Sequence, residues 1–333
     1  MSSIFVQENG AFIGIEGNRF FVDYKDGMHM SVPAETLDCI TIMGNVQMSA
    51  QCTQECLKRN VPVLYYSKGG HYFGRLTTTE NTNVFRQRKQ SALYETNFAL
   101  ELSRNIIIAK IRNQKVVLKR YAKSTGINVS EEERMLNICE GKVGTSMTAQ
   151  EIMGYEGQAA KAYFNGMSKV IKPSFKFNGR NRRPPRDEFN SMISLGYSIL
   201  MSELMGKIEA KGLNPYFGFL HSDRENHPTL ASDMMEEWRA VIVDATVMSM
   251  INGNEIAKDD FVLNIDEPGC FLTKNGLKKY ISKLEKKLKT EMRYLDYVSY
   301  AVSFRRAIYL QTEQLVKAIE QGEPSVYHPI QIR

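Results

Sequence analysis

The sequence predicts an α+β protein, a small N-terminal β-strand domain followed by a large all-α C-terminal domain. Three observations carry this reading. The first part of the chain strings together short β-branched and aromatic runs separated by tight-turn dipeptides. Beyond residue 84 the apolar period changes to that of a helix. Between the two regimes lies a polar run, 77–83, with no apolar anchor. At 333 residues the chain is long enough for two domains, and 43% hydrophobic with 24% charged residues excludes disordered and collagenous classes.

Within the β domain, 1–78, residues 11–15, 19–24, 28–32, 39–43, 61–66 and 72–76 read as strands. Gly17-Asn18, Asp26-Gly27 and Gly69-Gly70 supply the turns between them. A single helix is expected at 49–59, with Cys52, Cys56 and Leu57 as its inner face. The linker falls at 79–85 and the helical domain fills 86–333. There, 84–122, 148–170, 185–211, 230–251, 277–289 and 292–321 carry amphipathic patterning, and Pro184-Pro185 sits where a helix should begin.

No run of apolar residues is long enough to span a bilayer, and no basic stretch precedes an apolar leader, so neither membrane nor secretion is expected. Five cysteines are an odd set without metal-ligand spacing, which points to reduced thiols and a cytoplasmic protein. No Walker A loop, dinucleotide fingerprint or nucleophile elbow is present, so nucleotide-fuelled chemistry is not expected.

The net charge of +6 is unevenly spread. Seven Lys or Arg and no acid lie between Arg104 and Lys123, and six more, again with no acid, between Lys172 and Arg186. A third basic stretch runs from Lys274 to Arg293, opposed by Glu285 and Glu291. Any one of these is an ordinary solvated helix face; three together can track a polyanion such as nucleic acid.

Acidic and imidazole groups supply the candidate chemistry. On the helix at 148–170, Ile152, Tyr155, Ala159, Ala160, Tyr163, Met167 and Val170 make an apolar stripe with Glu156 at its centre. A carboxylate there needs a counter-charge, a hydrogen bond or a bound cation, and a core Arg or Tyr would satisfy it as well. His221 closes the apolar run 218–220, either as a structural histidine or as a ligand. On the helix from Leu230, Asp233, Glu236 and Glu237 crowd one arc, either as a solvated acidic face or around a cation. The wheel puts Asp233 and Glu237 nearest the core and does not single out Glu236. If the fold joins these features, two or three carboxylates and one imidazole suit Mg²⁺ or Mn²⁺ better than zinc, and a hard metal beside basic surface suggests phosphodiester chemistry.

The chain resembles the CRISPR-associated integrases of spacer acquisition, the Cas one family, over nearly its whole length. The motifs that carry the resemblance are Lys110-Ile-Arg-Asn-Gln114, Gly154-Tyr-Glu-Gly-Gln-Ala-Ala-Lys-Ala-Tyr-Phe164, Arg183-Pro-Pro-Arg-Asp-Glu-Phe-Asn190, Gly218-Phe-Leu-His-Ser-Asp-Arg224 and Leu230-Ala-Ser-Asp-Met-Met-Glu-Glu-Trp-Arg239. The resemblance implies an N-terminal β domain used for dimerisation and partner contact, and a metal site of Glu156, His221 and Glu236, with Asp233 as an auxiliary. It selects Glu236, where some members carry Asp. It also implies a homodimer joined to a small partner, Cas two, in a heterohexamer holding double-stranded DNA. The expected reaction joins the 3′-hydroxyl ends of captured foreign DNA to the CRISPR repeat by transesterification. Arg183, Arg186, Arg224, Arg180, Lys110, Arg112 and Tyr163 are the expected DNA contacts, with core packing the competing role for Tyr163. Asp187 is expected to serve a helix start. A metal-dependent nuclease using the same residues and a non-catalytic DNA scaffold are the rival readings.

Overall fold

The computed structural model describes residues 2–333 except 69, 71, 81, 183 and 265–268. As the sequence predicts, a strand-rich N-terminal part is followed by a helical one, and the chain divides into compact units Met1–Asn81 and Thr82–Arg333. Of the sequence expectations, the Gly69 half of one turn, Asn81 of the linker and the DNA contact Arg183 lie outside the described residues.

The first unit holds β1 (Ser2–Val6), β2 (Phe12–Glu16), β3 (Arg19–Asp23), β4 (His29–Pro33), β5 (Leu37–Met43), β6 (Gln47–Met48), α1 (Ala50–Lys58), β7 (Val63–Tyr66) and β8 (Tyr72–Leu76). They form two four-stranded sheets, ordered β1-β5-β7-β8 and β4-β3-β2-β6. In the first, β1, β5 and β7 run parallel and β8 antiparallel. The β2–β3 hairpin closes through Gly17 and Asn18, both at positive φ, which a two-residue turn of this twist demands. Alternation then turns Ile13, Phe20 and Val22 inward, into a core shared with Ile4, Val6, Ile40, Ile42 and Val63. The Ser49 hydroxyl caps α1 by accepting from the Cys52 amide at 3.0 Å. Cys52 and Cys56 are buried as expected, whereas Leu57 is only half-buried. The strands β1 and β6 were not expected from the sequence; only Ile4 and Val6 in the first point into the core, too few to show a period.

The second unit begins with α2 (Val84–Ala92) and α3 (Asn97–Thr125), followed by α4 (Ser130–Thr145), α5 (Ala149–Val170) and α6 (Glu188–Ala210). Then come α7 (Thr229–Trp238), a π-helical turn (Arg239–Asp244), α8 (Ala245–Asn252), the hairpin β9 (Phe261–Asn264) and β10 (Gly269–Leu272), and α9 (Lys274–Lys289). A small pair, β11 (Glu291–Met292) and β12 (Val302–Ser303), precedes α10 (Phe304–Gln321).

The 29-residue α3 is the spine, about 43 Å long at 1.5 Å per residue, and α4, α5 and α7 pack along it. Close approach of α5 is set by Gly166, where a β-carbon would lie 2.8 Å from Leu118 Cδ2. Three sequence expectations are corrected here. The helix expected at 292–321 starts only at Phe304, because 291–292 pair with 302–303 and Ser303 caps the helix through the Arg306 amide at 3.2 Å. That expected from 185 starts at Glu188, capped by Asp187, which accepts from the Asn190 amide at 2.8 Å. The helix expected at 230–251 is interrupted by the π-helical turn. Among the described residues, no helix is long and apolar enough to cross a membrane.

Candidate metal and DNA site

Every residue of α7 is buried, so its three acids cannot share a solvated face. Each has a different partner. Asp233 folds the loop 218–221 around itself: Oδ2 accepts from the amides of Phe219 and Leu220 at 2.6 and 3.0 Å, and Oδ1 from the His221 amide at 3.1 Å. The same Oδ1 meets His221 Nδ1 at 2.7 Å, which leaves Nε2 facing Glu236 Oε1 at 3.7 Å. Glu237 points the other way, into the segment 327–332. Its oxygens accept from the Tyr327 hydroxyl and from the Ile330 amide at 2.6 Å. Asn113 of α3 seals that segment, donating to the carbonyls of Glu237 and Ile330 and accepting from the Ile332 amide at 2.9 Å.

Glu236 lies between these two and faces α3 and α5. Its Oε2 and the Glu156 Oε1 of α5 both contact the ammonium of Lys110, and its Oε1 meets Arg239 at 3.1 Å. The wheel put Asp233 and Glu237 nearest the core, yet Glu236 is also only 4% exposed: α7 has no solvent side, and it packs along α3.

Burial opposes the charge of Glu236, yet Arg239, Lys110 and His221 hold its pKa down to about 2. Burial likewise works against the Lys110 ammonium, but Glu156 and Glu236 keep its pKa above the usual lysine value. For His221 burial lowers and the Asp233 carboxylate raises, with a net upward result.

The π-helical turn links this cluster to a second one. Arg239 at its start stacks on the Tyr197 ring, 4.6 Å from the centroid, while Asp244 at its end accepts from the hydroxyls of Tyr197 at 2.7 Å and Tyr163 at 3.0 Å. Burial pushes Asp244 up to about 6, against those hydrogen bonds and against Arg180 and Arg239. Sequence reasoning missed Arg239, Tyr197 and Asp244. The i, i+3 spacing of Glu236 and Arg239 was the available signal.

The expected DNA contacts fall into different environments. Arg186 and Arg224 are exposed. Arg180 bonds Asn190 and lies over the rings of Phe164 and Tyr197, at 5.6 and 5.5 Å. Arg112 pairs with Glu140 of α4 at 2.7 Å. Two are corrected. Tyr163 is fully buried with its hydroxyl on Asp244, the core packing that competed with its expected DNA contact. Lys110 is 5% exposed, with its ammonium on the carboxylates of Glu156 and Glu236.

Glu156, Glu236 and His221 Nε2 form a mixed oxygen and nitrogen donor set of the kind that suits a hard divalent ion. The carboxylate on His221 Nδ1 is the support that metal-ligating histidines use. Among the described residues, no three acids, histidines or cysteines stand closely enough to hold a metal as they are, and the charge at their centre is the Lys110 ammonium.

The protein-family model described as CRISPR associated protein Cas1 matches residues 4–286. The CRISPR-associated endonuclease Cas1 of Mycobacterium tuberculosis is 35% identical over 328 residues, 98% of this chain and 96% of the relative. A solved casposase bound to integration product shares the fold with a TM-score of 0.86 at 22% identity, over 97% of this chain and 92% of that one. A Cas6-RT-Cas1–Cas2 complex gives a TM-score of 0.83 at 24% identity, covering 100% of this chain and 36% of that one.

Proposed function

The chain belongs to the Cas1 family of CRISPR-associated proteins, whose curated relatives are named endonucleases, and from that premise we propose that it is a metal-dependent DNA integrase. The reaction is strand transfer. The 3′-hydroxyl of a captured DNA fragment attacks a phosphodiester at the edge of a CRISPR repeat, one phosphodiester replaces another, and no nucleotide fuel is needed. The observation that carries this is the convergence of Glu156 and Glu236 on one ammonium, with an oriented imidazole beside them. Glu156, Glu236 and His221 Nε2 would hold the ion. Bound there, Mg²⁺ or Mn²⁺ would polarise the scissile phosphate and stabilise charge on the departing oxygen.

The chain's own residues do the rest. Asp233 fixes the loop and the imidazole plane, so His221 is oriented before substrate arrives. Arg239 screens Glu236 and is itself steadied by the Tyr197 face. Exposed Arg186 and Arg224 would bind backbone phosphates and hold the duplex in register. A homodimer, assembled with a small Cas2 partner as the solved Cas6-RT-Cas1–Cas2 complex suggests, would present two such sites to the two ends of one duplex.

The test uses a labelled duplex with 3′-hydroxyl ends and a supercoiled plasmid carrying a CRISPR array, with the small partner, in Mn²⁺ or Mg²⁺ and in EDTA. Metal-dependent transfer of label to plasmid, absent in Glu156→Ala and His221→Ala, is the expected result. Metal-dependent shortening without transfer would replace the integrase by the endonuclease that the relatives' name describes. DNA binding with neither reaction, unchanged in both variants, would leave a scaffold.

A further inference from the structure

The proposed chemistry gives Lys110 no part, yet the site is built around it. Its side chain is almost wholly buried on the inner face of α3, and its ammonium touches one carboxylate from α5 and one from α7. Without any metal, Glu156 and Glu236 are already matched by Lys110 and Arg239, and the Asp233 carboxylate sits on His221. With the Asp233 carboxylate on His221 counted as well, a divalent ion added to that set leaves one surplus positive charge in a buried place, which is costly unless a cation withdraws or an anion joins.

The two basic side chains differ in their freedom to withdraw. Arg239 is planar, pinned by Glu236 at 3.1 Å and stacked on Tyr197. Lys110 is a point charge on a flexible stem, held by the same two carboxylates that the ion would claim.

We propose that Lys110 is the site's resident counter-cation. It holds Glu156 and Glu236 together while no divalent ion is bound, yields them when one enters, and then pairs with a DNA phosphate. The ion and the DNA are thereby coupled: each neutralises the charge that the other introduces, so each binds more tightly in the presence of the other. DNA-free protein holds the ion weakly, and the loaded site forms on the substrate. This inference rests on the metal reading above.

The experiment measures Mn²⁺ binding to the full chain by loss of the free-ion EPR signal, without DNA and with a short duplex, the duplex alone serving as control. Lys110→Met and Lys110→Gln should bind Mn²⁺ tighter than wild type by roughly ten-fold or more without DNA, since the competing charge is gone. Lys110→Arg, which keeps the charge, should stay weak, and Glu156→Ala should lose the site. Added duplex should tighten Mn²⁺ binding by a larger factor in wild type than in Lys110→Met. A purely structural lysine would give the opposite sign, because losing it would loosen the ligands and weaken the ion. The glutamine variant retains a hydrogen bond to one carboxylate and carries the test if the methionine variant does not fold. Equal or weaker Mn²⁺ affinity in folded Lys110→Gln, with binding still lost in Glu156→Ala, would overturn the Lys110 inference and leave the metal site standing. No Mn²⁺ binding by any variant would overturn both.

Discussion

Replacing Glu237 by Gln isolates a buried carboxyl that, among the described residues, meets the Tyr327 hydroxyl and the Ile330 amide and pairs with no cation. The side chain is fully buried, between the Tyr327 hydroxyl and the Ile330 amide. Burial raises its pKa from 4.5 to about 8, against the pull of those two bonds. Because the folded value lies above the unfolded one, the folded protein binds the extra proton. The associated stability is complete below about pH 4.5 and is lost as pH rises through about 8. At roughly 1.4 kcal/mol per pH unit, the whole displacement is on the order of 5 kcal/mol. Glu237→Gln keeps the shape, still accepts from the Ile330 amide and can donate to the tyrosine oxygen, but never ionises. Its stability relative to wild type should therefore be near zero at pH 5 and climb through pH 7 to a plateau of several kcal/mol above pH 8. Urea unfolding in EDTA reads this directly, because the chain's single tryptophan is the neighbouring Trp238, itself fully buried. A stability difference that does not change with pH, or one that favours wild type at pH 9, would refute the reasoning.

Three further outcomes follow from the packing. Tyr163→Phe removes one of the two donors to Asp244 and should cost about 1–3 kcal/mol in thermal unfolding while leaving DNA affinity unchanged; lost affinity at unchanged stability would return Tyr163 to the DNA surface. Asp233→Ala strips the acceptor from the amides of Phe219, Leu220 and His221 and frees the imidazole; a loss of at least about 3 kcal/mol in urea unfolding is expected, with strand transfer abolished. A paired glycine test should give opposite signs in differential scanning fluorimetry. At Gly196 a β-carbon would overlap the Tyr280 hydroxyl and Val243, costing about 1–3 kcal/mol, whereas at Gly157 it meets nothing within 4 Å and should stabilise α5 by up to about 1 kcal/mol.

Where one face of an element was apolar and the other wet, the sequence was readable. The β2–β3 hairpin, α1 and α5 follow from period and turn chemistry, and Glu156 stood out because a carboxylate interrupted an apolar stripe. The reading failed where that contrast vanishes. α7 is buried all round, so a wheel that assumes a solvent side had no basis for ranking Asp233, Glu236 and Glu237, and only family resemblance selected Glu236. The stretch before α10 is rich in Tyr and Val and imitates helical spacing, but its ends pair as β11 and β12. Lys110 was expected as a DNA contact within a basic run, not as a partner of the acids. Its position opposite Glu156 and Glu236 depends on how α3, α5 and α7 cross, which no local pattern encodes.

The clamp on Glu237 also sets a clock. Ile330 is 93 residues downstream of the acid it caps, so α7 cannot gain those hydrogen bonds until much later chain has been made. At about 5–20 residues per second, synthesis delivers that segment on the order of ten seconds after Glu237. During that interval the acid beside Glu236 lacks both of its donors. The final seating of the helix that carries Glu236 is therefore timed by a distant stretch of chain that supplies none of the proposed ligands, a long-range closure of the kind that slows folding.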